Sequence, residues 1–134
     1  MKQRLFIKFS IILFFTVFFI GLTYAQSDPP SNLQAATSGN ALKLSWDASG
    51  AGQDVAYIIY RAEAQSSSDV ADPMNLNFTL VSTVKENTFE DRSAAPGQAY
   101  VYYVVSVNQD GVESAGSNYV NVSIGEQDAN ADQY

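Results

Sequence analysis

The stretch PGQAYVYYVVSVNQDG, from Pro96 to Gly111, decides the fold of this chain. Between a Pro-Gly pair and an Asp-Gly pair it carries a run, Tyr100 to Val107, that is apolar on both faces. A run that is buried on both faces is typical of a central strand. A glycine that tolerates positive φ permits a tight turn at Asp110-Gly111. The stretch therefore predicts a central β-strand with a turn at each end.

The same alternation extends to both sides of this run. Apolar residues recur with period two from Asn32 to Ile124, and clusters of Gly, Asn, Asp, Ser and Pro separate the runs, which is the pattern of antiparallel strands. Residues 65–77 carry three consecutive serines and an Asp-Pro pair, which predict a long loop. We expect an all-β sandwich of seven antiparallel strands, with six strands besides the central one at Leu33–Ala35, Leu42–Trp46, Tyr57–Tyr60, Phe78–Val84, Thr88–Glu90 and Val120–Ile124.

The N-terminal residues 1–25 have the order of a secretory signal peptide: a basic start, an apolar run and the small-residue exit Thr23-Tyr24-Ala25. A retained membrane anchor is the alternative. The uncharged run, Phe9 to Leu22, is shorter than the roughly 20 residues that a spanning helix needs. The chain contains no Cys that could carry a lipid. We expect cleavage after Ala25 and a secreted product, extracellular, at the cell surface or periplasmic, with no stable membrane anchor.

The remaining chain divides into three parts on its composition. Residues 26–31 contain a Pro-Pro pair that cannot donate to a sheet, so we expect an N-terminal linker there. Residues 32–124 form the predicted sandwich. Residues 125–134 are polar, acidic and without period, which predicts a disordered tail.

The negative charge of the chain disfavours nucleic acid as a ligand. The formal net charge is −7 from 14 acidic and 7 basic residues, and loss of Lys2, Arg4 and Lys8 with a signal peptide would make it −10. Such a surface repels a phosphate backbone. Solubility is the simpler consequence of this charge.

Catalytic and metal chemistry have little support in the composition. The chain contains no His and no Cys, which removes the usual general bases, thiol nucleophiles and zinc ligands. Asp128, Asn130 and Asp132 have the spacing that opens a calcium loop, but the glycine and the final acidic ligand are missing. We therefore expect no enzyme activity, no cofactor and no metal site.

Several residues resemble those of fibronectin type III domains. They are Leu44-Ser45-Trp46, the strand Tyr57 to Arg61, and the run from Pro96 through Tyr100 to Asn108. The resemblance implies an immunoglobulin-like topology in which Trp46, Tyr57 and Tyr100 are structural, with Trp46 between the sheets and Tyr100 at a tyrosine corner. The loop Asn108–Val112 lacks the arginine of an Arg-Gly-Asp motif, so integrin recognition is not carried over.

A candidate binding surface follows from the strand alternation. If Tyr57, Ile59, Tyr100, Tyr102 and Val104 face the core, a second set of residues shares the outer face of the same sheet. An exposed apolar and aromatic patch of this kind is often an interaction site. The alternatives are that the 65–77 loop or the tail covers the patch, or that the strands are merely rich in β-formers. The predicted binding residues are Ile58, Tyr60, Val101, Tyr103 and Val105.

Three functions remain open on the sequence. The first is a noncatalytic exported module for protein interaction or adhesion. The second is a carbohydrate-binding accessory module, in which Tyr60 and Tyr103 stack on sugar rings. The third is a structural spacer without a ligand of its own. The partner is accordingly a protein or an extracellular polysaccharide.

Overall fold

The computed structural model describes residues 27–48 and 54–125. The predicted signal peptide lies outside these residues, as does the predicted tail after Gly125. Among the described residues, no helix has the length and apolar character needed to cross a membrane.

Two antiparallel sheets form the domain, one of three strands in the order β1-β2-β5 and one of four in the order β4-β3-β6-β7. The predicted all-β sandwich is confirmed. Residues 65–77 are not wholly irregular, because they contain a short helix, α1 at Ser67–Ala71, and a 3-10 helix at Pro73–Asn75. The strands are β1 Ser31–Ser38, β2 Ala41–Asp47, β3 Asp54–Ala64, β4 Thr79–Val84, β5 Thr88–Asp91, β6 Ala99–Asn108 and β7 Val120–Ser123.

Alternating side chains of β2 and of the central strands fill the space between the sheets. Leu42, Leu44 and Trp46 are buried while Lys43 is exposed, so β2 has one dry and one wet face. The Trp46 ring meets the Tyr57 ring edge-on, with centroids 5.4 Å apart and an interplanar angle of 69°. An edge-to-face pair of this kind contributes beyond its buried area, which fits the structural roles expected for both residues.

Tyr100 ties the turn before β6 to the core. Its side chain is buried, and its hydroxyl oxygen accepts a 3.0 Å hydrogen bond from the backbone N–H of Ala95. The phenol therefore satisfies a backbone donor that no strand partner reaches. This geometry is the tyrosine corner that the sequence predicts at this position.

A buried carboxylate links the two sheets. Asp91 on β5 is 1% exposed and accepts hydrogen bonds from Arg61 Nη1 at 2.8 Å and from the Tyr102 hydroxyl at 2.8 Å. The backbone N–H and the hydroxyl of Ser93 also donate to it, at 2.8 and 2.7 Å. Burial alone would raise the pKa of Asp91, but the bonds from Ser93 and Tyr102 and the charge of Arg61 outweigh it and hold that pKa below its ordinary value.

The packed domain begins before the predicted boundary at Asn32. Pro30 is buried, and the carbonyl of Asp28 accepts a 3.0 Å hydrogen bond from the Ser106 hydroxyl. The predicted linker 26–31 thus contributes packing contacts from Asp28 onward. A proline cannot donate to a sheet, but nothing prevents its ring from packing, so the Pro-Pro pair was a poor marker of the boundary.

Between β6 and β7, serine hydroxyls accept hydrogen bonds from backbone N–H groups of β6. Gly111 has φ of +77°, as a tight turn at Asp110-Gly111 requires. After this turn the chain returns beside β6 before the regular pairing of β7 starts. There the hydroxyls of Ser114 and Ser117 accept hydrogen bonds from the N–H groups of Ser106 and Val104, each at 3.0 Å.

Candidate functional site

The pairing of β3 with β6 brings the predicted binding residues onto one face. Ile58 lies opposite Val105, and Tyr60 lies opposite Tyr103. Val101 lies two residues before Tyr103 on β6, so the two side chains point to the same face of the sheet. The five residues therefore lie together on the side of the four-stranded sheet that points away from the core.

Two of the five are not accessible. Val101 and Val105 are 2% and 3% exposed, whereas Ile58, Tyr60 and Tyr103 are half-buried. β6 lies between β3 and β7 in the sheet. The short valine side chains of β6 are therefore flanked by side chains of both neighbouring strands. The expectation that Val101 and Val105 contribute to an exposed patch is wrong, and they can support a binding surface only from beneath.

Four aromatic rings cover the middle of this face, and we call Tyr60, Phe78, Tyr103 and Tyr119 the aromatic cluster. Tyr60 and Tyr103 are stacked, with centroids 4.9 Å apart and planes at 15°. Phe78 meets Tyr103 edge-on at 4.8 Å, and Tyr119 meets it edge-on at 5.6 Å. Phe78 directly precedes β4, and its ring lies over the outer face of the sheet beside Tyr103.

Accessible side chains of the face form a row that crosses β4, β3 and β6 and ends just before β7. Leu80 on β4 is the pairing partner of Tyr60, Tyr60 pairs with Tyr103, and Tyr103 contacts Tyr119 just before β7. We call Leu80, Tyr60, Tyr103 and Tyr119 the outer row. Its two ends are open, since Leu80 is 56% and Tyr119 is 44% exposed.

The predicted binding residues did not include Tyr119 or Leu80, the two ends of the outer row, and the reasons differ. Tyr119 alternates with Val120 in the predicted last strand, so its outward direction could have been read from the sequence. Leu80 could not, because the β3–β4 register shifts between Ile59 and Tyr60. Such an irregularity adds one residue on one strand and changes which side chains face outward after it.

Glu113 supplies a carboxylate beside the outer row. The Tyr60 hydroxyl donates a 3.0 Å hydrogen bond to Glu113 Oε1. Burial and then this hydrogen bond raise the pKa of Tyr60, while burial and the neighbouring Tyr119 and Glu113 raise the pKa of Tyr103. Both phenols are therefore neutral at physiological pH, and the outer row is an uncharged surface with one acidic flank.

The ring stack occupies one face of each tyrosine that the carbohydrate hypothesis uses, because Tyr60 and Tyr103 lie against each other. Gly116 lies so close to the Tyr103 ring that a Cβ there would be 3.1 Å from Cδ2. A flat platform needs an open ring face, so a sugar could stack on at most the other face of each ring.

Metal ligands are not gathered anywhere in the described part of the chain. Within residues 27–48 and 54–125, no group of three or more Asp and Glu side chains is placed to hold an ion. The adjacent acids Glu90 and Asp91 point to opposite faces, as expected for a strand: Glu90 is exposed and Asp91 is buried.

Comparison with known proteins places these features in a family. The model of the fibronectin type III domain matches residues 28–123. An amylopullulanase of Thermoanaerobacter thermohydrosulfuricus is 32% identical over 100 residues, which is 75% of this chain but only 6% of that protein.

Solved structures share the fold at lower identity. An Fn3-like protein from Clostridium thermocellum is 22% identical with a TM-score of 0.57, over 77% of this chain and 98% of that one. Pectate lyase Pel3 from Pectobacterium carotovorum is 24% identical with a TM-score of 0.56, over 71% of this chain and 27% of the lyase. Since the family model covers most of the chain, this protein belongs to the fibronectin type III family.

Proposed function

We propose that this chain is a noncatalytic exported interaction module that docks a protein partner on the outer row. The observation that carries the proposal is the open, uncharged row of Leu80 and three tyrosines across the four-stranded sheet. Tyrosine is enriched where protein interfaces concentrate their binding energy. The ring contacts within the aromatic cluster hold the three tyrosines in place, which lowers the cost of ordering these side chains on binding.

The charge around the row indicates the character of the partner. Glu113 lies beside Tyr60 on this face, and the chain as a whole is acidic. A partner with an apolar centre and a basic side chain opposite Glu113 would be complementary to this surface. Export is supported by the signal-peptide pattern of residues 1–25. The relatives fit this proposal, because an amylopullulanase and a pectate lyase contain the same kind of domain beside other parts.

The test compares capture of envelope and culture-medium proteins by immobilised wild-type chain and by two variants. The outer-row variant Leu80→Ser/Tyr119→Ser removes the two open ends, which should weaken binding at least about tenfold, equal to about 1.4 kcal/mol. The matched control is Met74→Ser, because Met74 is a largely exposed apolar residue outside the row.

Thermal unfolding of each variant separates binding from folding. The ends of the row are exposed, so neither variant should change the melting temperature appreciably. Equal capture by wild type and the outer-row variant would contradict the proposal. Loss of capture in the Met74 variant alone would place the binding site in the 65–77 segment. Absence of specific capture by the wild-type chain would favour a structural spacer without a ligand of its own.

A further inference from the structure

A cleft separate from the outer row lies between the end of β3 and the connection to β4. Its volume is about 570 Å³, within the range of about 300 to 1,000 Å³ that small-molecule sites occupy. Its lining is mainly polar and includes Glu63, Gln65, Asp69, Leu76, Asn77 and Thr79. None of these belongs to the outer row.

Hydrogen bonds hold the walls of the cleft in place. Asp69 Oδ2 accepts the backbone N–H groups of Gln65 at 2.7 Å and of Ser66 at 2.9 Å. On the opposite side, the Thr79 hydroxyl donates to the carbonyl of Arg61 at 3.2 Å. The cleft is therefore formed before any ligand enters, which reduces the ordering cost of binding.

Three exposed lining side chains have no partner within the described protein and are accessible to a ligand. Within residues 27–48 and 54–125, the carboxylate of Glu63 and the side-chain amides of Gln65 and Asn77 make no hydrogen bond or ion pair. A carboxylate accepts only, while each amide both donates and accepts. This combination complements the hydroxyl pairs of a sugar ring, since every hydroxyl can donate one bond and accept others.

The charges and polarity of the cleft disfavour anionic and apolar ligands. Glu63 and Asp69 repel an anion, and Arg61, which also lines the cleft, is already bound to Asp91 at 2.8 Å and to Ser93 at 2.9 Å. The polar walls offer little to an apolar ligand. The described residues contain no group of three acidic side chains for a metal ion.

We propose that this cleft binds a neutral oligosaccharide, with Glu63, Gln65 and Asn77 as its hydrogen-bonding groups. The recognition is by hydroxyl groups rather than by ring stacking, because the described residues that line the cleft include no aromatic side chain. A uronic-acid oligomer is discriminated against by the two carboxylates. The site is independent of the outer row and of the protein partner proposed for it.

The experiment titrates the intact chain with a panel of neutral oligosaccharides: maltohexaose, cellohexaose, xylohexaose and mannohexaose. Tetragalacturonic acid is the anionic comparison. Calorimetry should show saturable binding of at least one neutral sugar and at least about tenfold weaker binding of the anionic one. The double variant Gln65→Ala/Asn77→Ala should bind the neutral sugar at least about tenfold more weakly than wild type, with an unchanged melting temperature.

The control variant is Asn121→Ala, because Asn121 is an exposed amide on β7, away from the cleft. It should bind like wild type. Absence of saturable binding across the neutral panel would overturn the proposal. Tighter binding of tetragalacturonic acid, or unchanged affinity in the Gln65/Asn77 variant, would overturn it as well. The Leu80/Tyr119 variant should bind the sugar normally, so failure here is distinguishable from failure of the outer-row proposal.

Discussion

Replacing Asp91 by Asn should destabilise the domain strongly, although the change is almost isosteric. The Asp91 carboxylate accepts four hydrogen bonds, and its donors belong to Arg61, Ser93 and Tyr102. In asparagine an NH2 group replaces one of the two carboxylate oxygens. This group donates hydrogen bonds and would face the donors of Arg61, Ser93 or Tyr102 instead of accepting from them. The substitution also removes the charge that pairs with Arg61.

The magnitude follows from the burial of the pair. Breaking a buried ion pair by removing one partner costs about 3 to 5 kcal/mol. The Arg61 side chain is 21% exposed and can regain part of its hydration, so we expect the lower end, about 3 kcal/mol. For a domain of this size, that corresponds to a fall in melting temperature of about 12 to 24 °C.

Urea unfolding followed by tryptophan fluorescence measures the effect, because Trp46 is the only tryptophan. The matched control is Glu90→Gln, the neighbouring carboxylate, whose pairing with Arg92 is largely exposed. An exposed pair of this kind contributes little, so this variant should unfold like wild type. Equal midpoints for the Asp91 and Glu90 variants would refute the assignment of Asp91 as the polar link between the sheets.

Acid should act on the same group with a defined sign. The pKa of Asp91 is below its unfolded value of 3.8, so the native state binds the proton less readily than the unfolded state. The stabilisation is then fully present above about pH 5 and is lost as the pH falls through 3.8 toward the folded pKa. The Asn variant should lack this part of the acid dependence, measured by urea unfolding between pH 6 and about pH 2.5.

Three further substitutions test the core and the edge of β6 by the same urea assay. Trp46→Ala should cost about 3 to 5 kcal/mol because it empties the space between the sheets, and a cost below about 1 kcal/mol would contradict its central position. Tyr100→Phe should cost about 1 kcal/mol, since Ala95 is exposed and water can replace the lost acceptor. Ser114→Ala leaves the buried N–H of Ser106 without that hydroxyl and should cost about 1 to 3 kcal/mol.

Local pattern was enough to predict the strands. Period-two alternation located strands with one buried face, such as β2 and β7, because the buried face dictates which side chains are apolar. The central strand β6 was located instead by a run that is apolar on both faces. The Trp46 and Tyr100 positions followed from the family resemblance, and their burial agrees with it. The short helices in residues 65–77 were missed because neither is long enough to show a helical stripe.

The accessible surface was harder to predict than the fold. Alternation gives the direction of a side chain but not what covers it, so Val101 and Val105 looked like surface residues. Their burial depends on the neighbours that the strand order gives them: Val101 lies between Ala62 and Asn121, and Val105 lies opposite Ile58. The role of Asp91 was hidden for a similar reason, since its donor Arg61 is thirty residues away along the chain.

The most direct test of the outer-row proposal is nuclear magnetic resonance mapping of the bound partner on the labelled chain. Backbone and side-chain signals would be followed as the captured partner is added. We predict that the largest shifts cluster at Tyr60, Leu80, Tyr103 and Tyr119, with small shifts on the opposite sheet around Lys43. Shifts concentrated around Lys43, or confined to the turn at Asp110, would contradict the assignment of the four-stranded face as the binding surface.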